Sequence, residues 1–297
     1  MDVKLRLVQF CEGGASGEGC RRVGVELVNG GCVVDVTAVD PTIPKDMKTF
    51  LQQWDTSAPA AARVAEAAPT DHTLQPGTFE LQAPIYDPQK LICVGLNYID
   101  HCTEQNVPVP KEPVIFNKFA STITEPNGFI LLSDETKCLD YEVEMAFIVC
   151  KRGKNIKESE AMSHVAGYMV AHDVSARDWQ LHRNGGQWLI GKTFDTFSPL
   201  GPAIVTTPSL SDPHNLGIRC RLNGETVQNS NTNQLVHKTQ GLVTFLSRFM
   251  TLEPGDVVLT GTPPGVGCFR KPPLYLKKGD VVECEIDEIG TIRNIVQ

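Results

Sequence analysis

Residues 139–150, LDYEVEMAFIVC, are the stretch that most restricts how this 297-residue chain can fold. Their β-branched, aromatic and aliphatic side chains are typical of a strand, in which successive side chains alternate between two faces. One face carries Leu139, Tyr141, Val143, Met145 and Phe147. The other face carries Asp140, Glu142 and Glu144 before it turns apolar at Ala146 and Ile148. A strand that suits a protein core therefore also carries a row of carboxylates.

Two interpretations of this acidic row stay open on the local sequence. An amphipathic strand with one wet face is the common cause of such alternation. Two carboxylates about 5 Å apart repel by under roughly 1 kcal/mol in water, but by about 3 kcal/mol at an effective dielectric constant near 20. Glu142 and Glu144 therefore need a cation if they are partly buried. We expect Asp140, the first acid of the row, to be solvated.

The composition is that of an ordinary soluble globular protein, with 41% hydrophobic and 21% charged residues. The formal net charge of −8 argues against a general nucleic-acid or anionic-membrane binder. The longest apolar runs fall short of the roughly 20 residues that span a bilayer. The ten cysteines include no C-x-x-C pair, so we predict buried free thiols and no disulfide scaffold.

The order of elements predicts an α+β, β-rich protein with two parts. Residues 1–85 are expected to form a small N-terminal α/β lobe, with strands up to residue 40 and helix over 45–68. A polar, proline-containing stretch then marks a boundary, and residues 86–297 are expected to form the catalytic domain. Strands dominate this second part, with a helix at TQGLVTFLSRF. The N-terminus, MDVKLRLVQF, enters a strand with no signal peptide or Arg-rich presequence, and a removed transit peptide is compatible with that.

Asp173 closes the apolar strand in YMVAHDVSARDWQ. A buried acid is costly unless it is paired or bound to a metal, whereas an exposed Asp at this point would serve as a helix N-cap. Together with Glu142 and Glu144 it would supply three carboxylates from strand-like segments. Such an all-oxygen set suits Mg²⁺ or Mn²⁺ better than zinc.

His101 and Glu104 lie three residues apart in LNYIDHCTEQ, which places them on one face of a helical turn. A carboxylate that accepts a hydrogen bond from an imidazole orients the ring and stabilises its charged form, as acid–base catalysis requires. The alternative is a surface helix with an incidental pair.

Three further side chains after Asp173 are candidates for contacts with an anion. Lys192, in QWLIGKTFDTF, has apolar neighbours, so it either stabilises negative charge inside a site or extends to the surface. Arg177 and Gln180 can address an anionic substrate, although Asp178 could equally hold Arg177 in a structural salt bridge.

The segment Leu259–Gly267, LTGTPPGVG, follows a predicted strand. Its glycines permit close backbone approach, and Thr262 offers a hydroxyl near Gly261. The segment lacks the Lys-Ser/Thr of a phosphate-binding P-loop, and an ordinary Pro/Gly turn is the alternative.

In this order, the motifs GLNYIDH, YEVEMAFIV, AHDVSARDWQ, GKTFDTFSPLGP, LNGETVQ and LTGTPPGVG resemble the fumarylacetoacetate hydrolase superfamily. They run from about residue 90 to the C-terminus. The resemblance implies a mixed β-sandwich roll and a homodimer. It also implies a divalent ion, usually Mg²⁺ with Mn²⁺ as the alternative, held by Glu142, Glu144 and Asp173.

The resemblance also assigns roles to the remaining candidates. Lys192 would steady an enolate, and His101 and Glu104 would form a dyad on a lid. Substrate carboxylates would contact Arg177, Gln180, Gly261 and Thr262. The substrate would be a small 2-oxo acid.

Similar members act on oxaloacetate in mitochondria, so the resemblance implies a Mg²⁺-dependent enol–keto tautomerase that works through a metal-chelated enolate. Acylpyruvate hydrolysis and oxaloacetate decarboxylation are alternatives at the same site, and a structural ion site without catalysis is a third possibility. Mitochondrial localisation is expected, with the cytoplasm as the alternative.

Overall fold

The structure, a computed structural model, describes residues 3–15 and 17–297. The α-helices are α1 Val36–Val39, α2 Met47–Gln52, α3 Trp54–Ala67, α4 Ile99–Glu104, α5 Leu189–Lys192 and α6 Thr239–Phe249. The strands are β1 Arg6–Glu12, β2 Arg22–Glu26, β3 Val33–Val34, β4 Thr73–Leu74, β5 Phe79–Gln82, β6 Leu91–Gly95, β7 Val114–Lys118, β8 Ile123–Thr124, β9 Phe129–Ile130, β10 Leu139–Asp140, β11 Val143–Val149, β12 Val165–His172, β13 Ser175–Ala176, β14 Ser198–Thr206, β15 Gly217–Leu222, β16 Glu225–Asn231, β17 Val257–Leu259, β18 Val281–Ile286 and β19 Gly290–Val296.

A 12-stranded mixed sheet forms the centre of the molecule. Its strands follow the order β4-β3-β2-β1-β14-β12-β11-β17-β6-β7, with β5 paired to β1 and β8 paired to β14. A five-stranded sheet has the order β16-β15-β18-β19-β9, and β10 pairs with β13 in a separate two-stranded ladder. The predicted α+β, strand-dominated class is confirmed.

The two faces of the large sheet bury different cores. Val143, Met145 and Phe147 of β11 pack in one cluster with residues of the five-stranded sheet, including Ile218 and Ile286. This arrangement of two packed sheets is a sandwich whose inner faces alternate with the strand period.

The opposite face of β11 turns toward the helices of the N-terminal segment. Ala146 and Ile148 lie in a second core with Met47 and Phe50 of α2 and Ala61 of α3. The acidic side of β11 therefore continues into a core, as the alternation of LDYEVEMAFIV predicts.

The division near residue 85 stays a prediction. In the structure, the first segment shares a sheet with the second, because β1 pairs antiparallel with β14 through Arg6↔Val205 and Leu7↔Ile204. The predicted helical region over 45–68 corresponds to α2 and α3. The N-terminus of α2 is stabilised by Asp46, whose carboxylate accepts a hydrogen bond from the Thr49 amide.

The local signals in the second segment also match the elements. The hairpin between β15 and β16 turns at Asn223 (φ 52°) and Gly224 (φ 84°), where left-handed backbone suits an Asn-Gly pair. The stretch TQGLVTFLSRF is α6, which buries Leu242, Val243 and Leu246. A short 3-10 segment, Glu158–His164, precedes β12.

The cysteine prediction is wrong at one pair, because Cys11 and Cys20 form a disulfide. The other cysteines are free, and Cys93, Cys150 and Cys284 are buried as expected. None of the helices in the described part of the chain combines the length and apolar character that crossing a bilayer requires.

Candidate active site

Three carboxylates meet where β11 begins and β12 ends. The two strands are antiparallel neighbours, and the Asp173 amide donates a 2.9 Å hydrogen bond to the Glu142 carbonyl. One oxygen from each of Glu142, Glu144 and Asp173 lies within 4.8 Å of the others. Their exposed fractions are 6%, 2% and 0%, so this is not the wet face of an amphipathic strand.

Three buried cationic side chains surround these acids. Arg177 Nη2 donates to Glu142 Oε1 at 2.6 Å, and Lys192 Nζ bridges Glu142 Oε2 at 2.8 Å and Asp173 Oδ2 at 2.7 Å. Lys118 Nζ donates to Asp173 Oδ1 at 2.6 Å from the opposite side. Glu142 and Asp173 are therefore both compensated by hydrogen-bonded charge.

The pKa values follow from these contacts. Burial disfavours the charged form of Glu142, but Arg177 and Lys192 outweigh burial and lower its pKa to about 2. Burial lowers the pKa of Lys118 below its usual value, although Asp173 opposes that shift. Burial also acts against protonated Lys192, yet Asp173 and Glu142 prevail and raise its pKa.

Glu144 differs from the other two acids. Its Oε2 accepts a 2.7 Å hydrogen bond from the Gly261 amide, and no Lys, Arg or His ion pair reaches it within residues 3–15 and 17–297. Burial, followed by repulsion from Asp173 and Glu142, raises its pKa well above the usual value. A divalent cation among three close carboxylates would remove that repulsion, so the donor set fits a hard, oxygen-preferring ion.

The helix α4 carries the predicted acid–base pair. His101 Nδ1 lies 2.9 Å from Glu104 Oε2, and Gln105 Nε2 lies 2.7 Å from His101 Nε2. Since an ionised carboxylate only accepts hydrogen bonds, the contact with Glu104 assigns the proton to Nδ1. The basic nitrogen of neutral His101 is then Nε2.

The loop after β17 supports both α4 and the acids. The Gly265 amide donates to Glu104 Oε1 at 2.9 Å, and the Phe269 ring packs 6.2 Å from the His101 ring. Thr262 Oγ1 donates to the Val143 carbonyl at 2.9 Å. The loop therefore contacts α4 on one side and β11 on the other.

A small cavity of about 90 Å³ brings most of the candidates together. Its polar lining residues are His101, Gln105, Glu142, Glu144, Arg177, Gln180, Lys192 and Thr262, and its apolar lining includes Phe116, Leu181, Trp188 and Phe269. Asp173 and Gly261 lie behind this lining, in contact with Lys192 and Glu144 respectively. A larger open groove of about 990 Å³ elsewhere is lined by none of the candidate residues.

Two sequence-based interpretations at this site are wrong. Asp140 is fully buried and not solvated, because it accepts hydrogen bonds from Arg177 and from backbone amides. The alternative pairing of Arg177 with Asp178 is also wrong, since Asp178 accepts from Thr136 Oγ1 at 2.6 Å.

Lys118 and Gln105 are two site residues that the sequence patterns above did not single out. Lys118 stands between Phe116 and Phe119 and carried the same signal that singled out Lys192, a lysine among aromatic neighbours. Gln105 directly follows the His101–Glu104 pair and is four residues from His101, a spacing that brings side chains together on a helical turn.

The fold and this site match one protein family. The family described as "Fumarylacetoacetate (FAA) hydrolase C-terminal" matches residues 90–297. The chain belongs to the fumarylacetoacetate hydrolase family.

Relatives with specific names match over nearly the whole chain. "Oxaloacetate tautomerase fahd2, mitochondrial" from Xenopus laevis is 57% identical over 294 residues, which are 99% of this chain and 91% of that protein. The solved fumarylacetoacetate hydrolase from Exiguobacterium antarcticum has a TM-score of 0.83 at 34% identity and covers 99% of both chains. Maleylpyruvate hydrolase from Sphingobium sp. SYK-6, solved with manganese(II) ion and pyruvate, has a TM-score of 0.78 at 27% identity and covers 98% of both chains.

Replacing Glu144 by Gln tests whether this carboxylate is a ligand. The raised pKa of Glu144 means that ionising it opposes folding above its unfolded pKa, so the metal-free variant should be more stable than the unchanged protein at pH 7. A divalent ion at about 100 times its dissociation constant should stabilise the unchanged protein by about 2.7 kcal/mol, and the variant much less. Urea unfolding with EDTA or with Mn²⁺ measures both effects.

Glu135→Gln provides a matched control, because Glu135 is exposed. It should leave both the metal-free stability and the response to Mn²⁺ within about 0.5 kcal/mol of the unchanged protein. A full Mn²⁺ response in Glu144→Gln would contradict the assignment of Glu144.

Proposed function

We propose that this protein is an oxaloacetate tautomerase, an isomerase that interconverts the enol and keto forms of a 2-oxo dicarboxylic acid. The observation that carries the proposal is that His101, Lys192, Glu142 and Glu144 all line one small cavity. The Xenopus laevis relative bears the name of this activity at 57% identity. The reaction moves one proton between oxygen and C3, and no carbon–carbon bond breaks.

His101 is the group that moves the proton. In the enol-to-keto direction, Nε2 accepts the proton of the enol hydroxyl, and Glu104 stabilises the imidazolium through Nδ1–H. The same nitrogen then returns the proton to C3, so the enzyme ends the cycle unchanged. Gln105 must move away from Nε2 for either transfer, because it occupies that nitrogen at 2.7 Å.

Lys192 and Arg177 provide the positive charge that an enolate and a carboxylate need. Both are buried, so their charges act in a medium of low effective dielectric constant. Gln180 lines the same cavity, and its Oε1 accepts from Arg177 Nη1 at 2.8 Å, which orients the guanidinium. Thr262 lines the cavity and completes the proposed substrate contacts, whereas Gly261, whose amide donates to Glu144, is proposed to act through that carboxylate.

The resident ion is proposed to be Mg²⁺, with Mn²⁺ as the alternative. Glu142, Glu144 and Asp173 would hold it, because all three offer buried carboxylate oxygens within 4.8 Å. Such an ion polarises a carbonyl and acidifies the neighbouring carbon.

The proposed location is the mitochondrion, which the name of the Xenopus laevis relative includes. The proposed assembly is a homodimer, and neither nucleic acid nor membrane is a proposed partner. Within the described residues, β7 ends the large sheet, and Ile115 and Phe119 beside its outer edge are 36% and 50% exposed. An open strand edge with apolar side chains is suited to pairing with a second copy.

The product distribution tests the proposed reaction. Adding enol oxaloacetate to the protein with Mg²⁺ should give rapid loss of enol absorbance, without release of CO₂ or pyruvate. His101→Gln should lower this rate by about 10²- to 10⁴-fold because the proton carrier is lost. Ultraviolet absorbance for the enol and a coupled pyruvate assay follow the two outcomes together.

His72→Gln is the control for this experiment, since His72 is exposed and lies in the N-terminal segment. It should retain the full rate. Stoichiometric release of pyruvate by the unchanged protein would show that its main activity is decarboxylation and not tautomerisation. An unchanged rate in His101→Gln would remove His101 from the mechanism.

The oligomeric state is measured by light scattering after size exclusion. The unchanged protein should have twice the chain mass of 32.5 kDa. Phe119→Glu should yield monomers because it places charge at the open edge of the sheet, whereas Phe249→Glu on α6 changes a more exposed phenylalanine and should not. A mass of one chain for the unchanged protein would contradict the dimer, and a dimeric Phe119→Glu would contradict this surface.

A further inference from the structure

Asp140 is a buried acid that the proposed mechanism does not use. Its exposed fraction is 0%, and its two carboxylate oxygens accept four hydrogen bonds. Oδ1 accepts from the Tyr141 amide at 2.8 Å and from the Gly267 amide at 2.7 Å. Oδ2 accepts from Arg177 Nε at 2.8 Å and from the Cys268 amide at 3.0 Å. Four hydrogen bonds to one carboxylate fix the positions of the donor groups around Asp140.

The contact with Arg177 follows from the small ladder of β10 and β13. Asp140 pairs with Ser175 in that ladder, and the Arg177 amide donates to the Cys138 carbonyl at 3.0 Å. This register places the Asp140 carboxylate behind the guanidinium. Arg177 then directs Nη1 to Gln180 and Nη2 to Glu142, both of which line the cavity.

Two of the other three contacts join Asp140 to the loop that contacts α4. Gly267 and Cys268 lie between Gly265, whose amide donates to Glu104, and Phe269, whose ring packs on His101. Gly267 has no space for a side chain, because a Cβ would lie 1.9 Å from the Leu274 carbonyl oxygen and 2.6 Å from Asp140 Oδ1. The loop backbone is thereby held directly against the carboxylate.

Charge explains why an acid and not an amide suits this position. Arg177 lies between two carboxylates, Glu142 in the cavity and Asp140 behind it, and donates hydrogen bonds of 2.6 Å and 2.8 Å to them, respectively. A neutral acceptor would leave Arg177 more strongly attracted toward Glu142, whose ionised oxygens are proposed to hold the divalent ion. Asp140 therefore balances the pull of Glu142 on the guanidinium.

We propose that Asp140 is a positioning residue that couples Arg177 to the lid-supporting segment Gly265–Phe269. Through one carboxylate, the group that contacts the substrate anion and the loop that holds His101 and Glu104 share an anchor. Only the predicted effect of this coupling on turnover rests on the proposed function. The link between Arg177 and the loop is a property of the folded chain and is measurable without substrate.

Asp140→Asn tests the proposal through kinetics. The change keeps the shape but removes one acceptor and the charge, so KM for oxaloacetate should rise by roughly 10- to 100-fold, with a smaller fall in kcat. Arg177→Gln should raise KM similarly, and the double variant should exceed the Arg177→Gln value by less than about threefold, because coupled residues are non-additive. Asp134→Asn, at an exposed aspartate nearby in sequence, should leave both constants unchanged.

A second measurement needs neither activity nor a change at Asp140. In Arg177→Lys, amide hydrogen exchange at Gly267 and Cys268 should accelerate by about tenfold, although Arg177 does not contact either amide. Exchange in α6, which lies outside this network, should stay the same. If the unchanged protein lacked tautomerase activity, the proposed function would fail while this exchange experiment still tested the coupling.

Two outcomes would overturn the coupling. One is an Asp140→Asn variant whose KM equals that of the unchanged protein, or whose effect simply multiplies with that of Arg177→Gln. The other is unchanged exchange at Gly267 and Cys268 in Arg177→Lys. If Asp140 had only a structural role, Asp140→Asn would lower the folded fraction and leave KM unaltered.

Discussion

The repulsion among three buried carboxylates is the constraint on which the rest of this structure depends. One oxygen from each of Glu142, Glu144 and Asp173 lies within 4.8 Å of the others, and all three acids are buried, so an unpaired charge among them costs several kcal/mol. Two lysines and an arginine offset two of the acids, and they come from β7, α5 and the turn after β13. Glu144 is the acid left without a cationic partner among the described residues, and its raised pKa marks the place for an additional cation. The need to compensate these buried carboxylates therefore brings together β7, α5 and the turn after β13, which are far apart in sequence.

The same requirement links stability to function. Lys192 compensates Glu142 and Asp173 in this structure, and it is also the group proposed to face an enolate. A cation that took over those carboxylates would free the ammonium for substrate, so ion and anion would bind cooperatively. Lys118 differs from Lys192, because its Nζ also donates to the Val174 carbonyl at 3.1 Å and to the Phe197 carbonyl at 2.5 Å. Lys118 is therefore proposed to hold Asp173, whereas Lys192 is proposed to change partners when ion and substrate bind.

Short-range sequence patterns identified those candidate residues that lie close together in the chain. Period-two alternation identified Glu142 and Glu144, and a three-residue spacing identified His101 with Glu104. Asp140 was expected to be solvated because no ligand role was evident for it. In the structure β10 and β11 separate at residues 141–142 and pair with different strands. Its contacts with Gly267 and Cys268 span 127 and 128 residues, so no local pattern predicts them. The Cys11–Cys20 disulfide was missed for a related reason, since spacing alone does not reveal which thiols meet.

A crystal structure with Mn²⁺ and oxalate, a mimic of an enolate, tests most directly whether one cluster both holds the ion and releases its lysine for the substrate. We expect an ion bound by Glu142, Glu144 and Asp173, with Lys118 still on Asp173. We also expect Lys192 Nζ to leave its bridge between Glu142 and Asp173 and to donate to oxalate. An ion bound elsewhere, or oxalate bound while Lys192 keeps both carboxylates, would contradict this double role of the cluster.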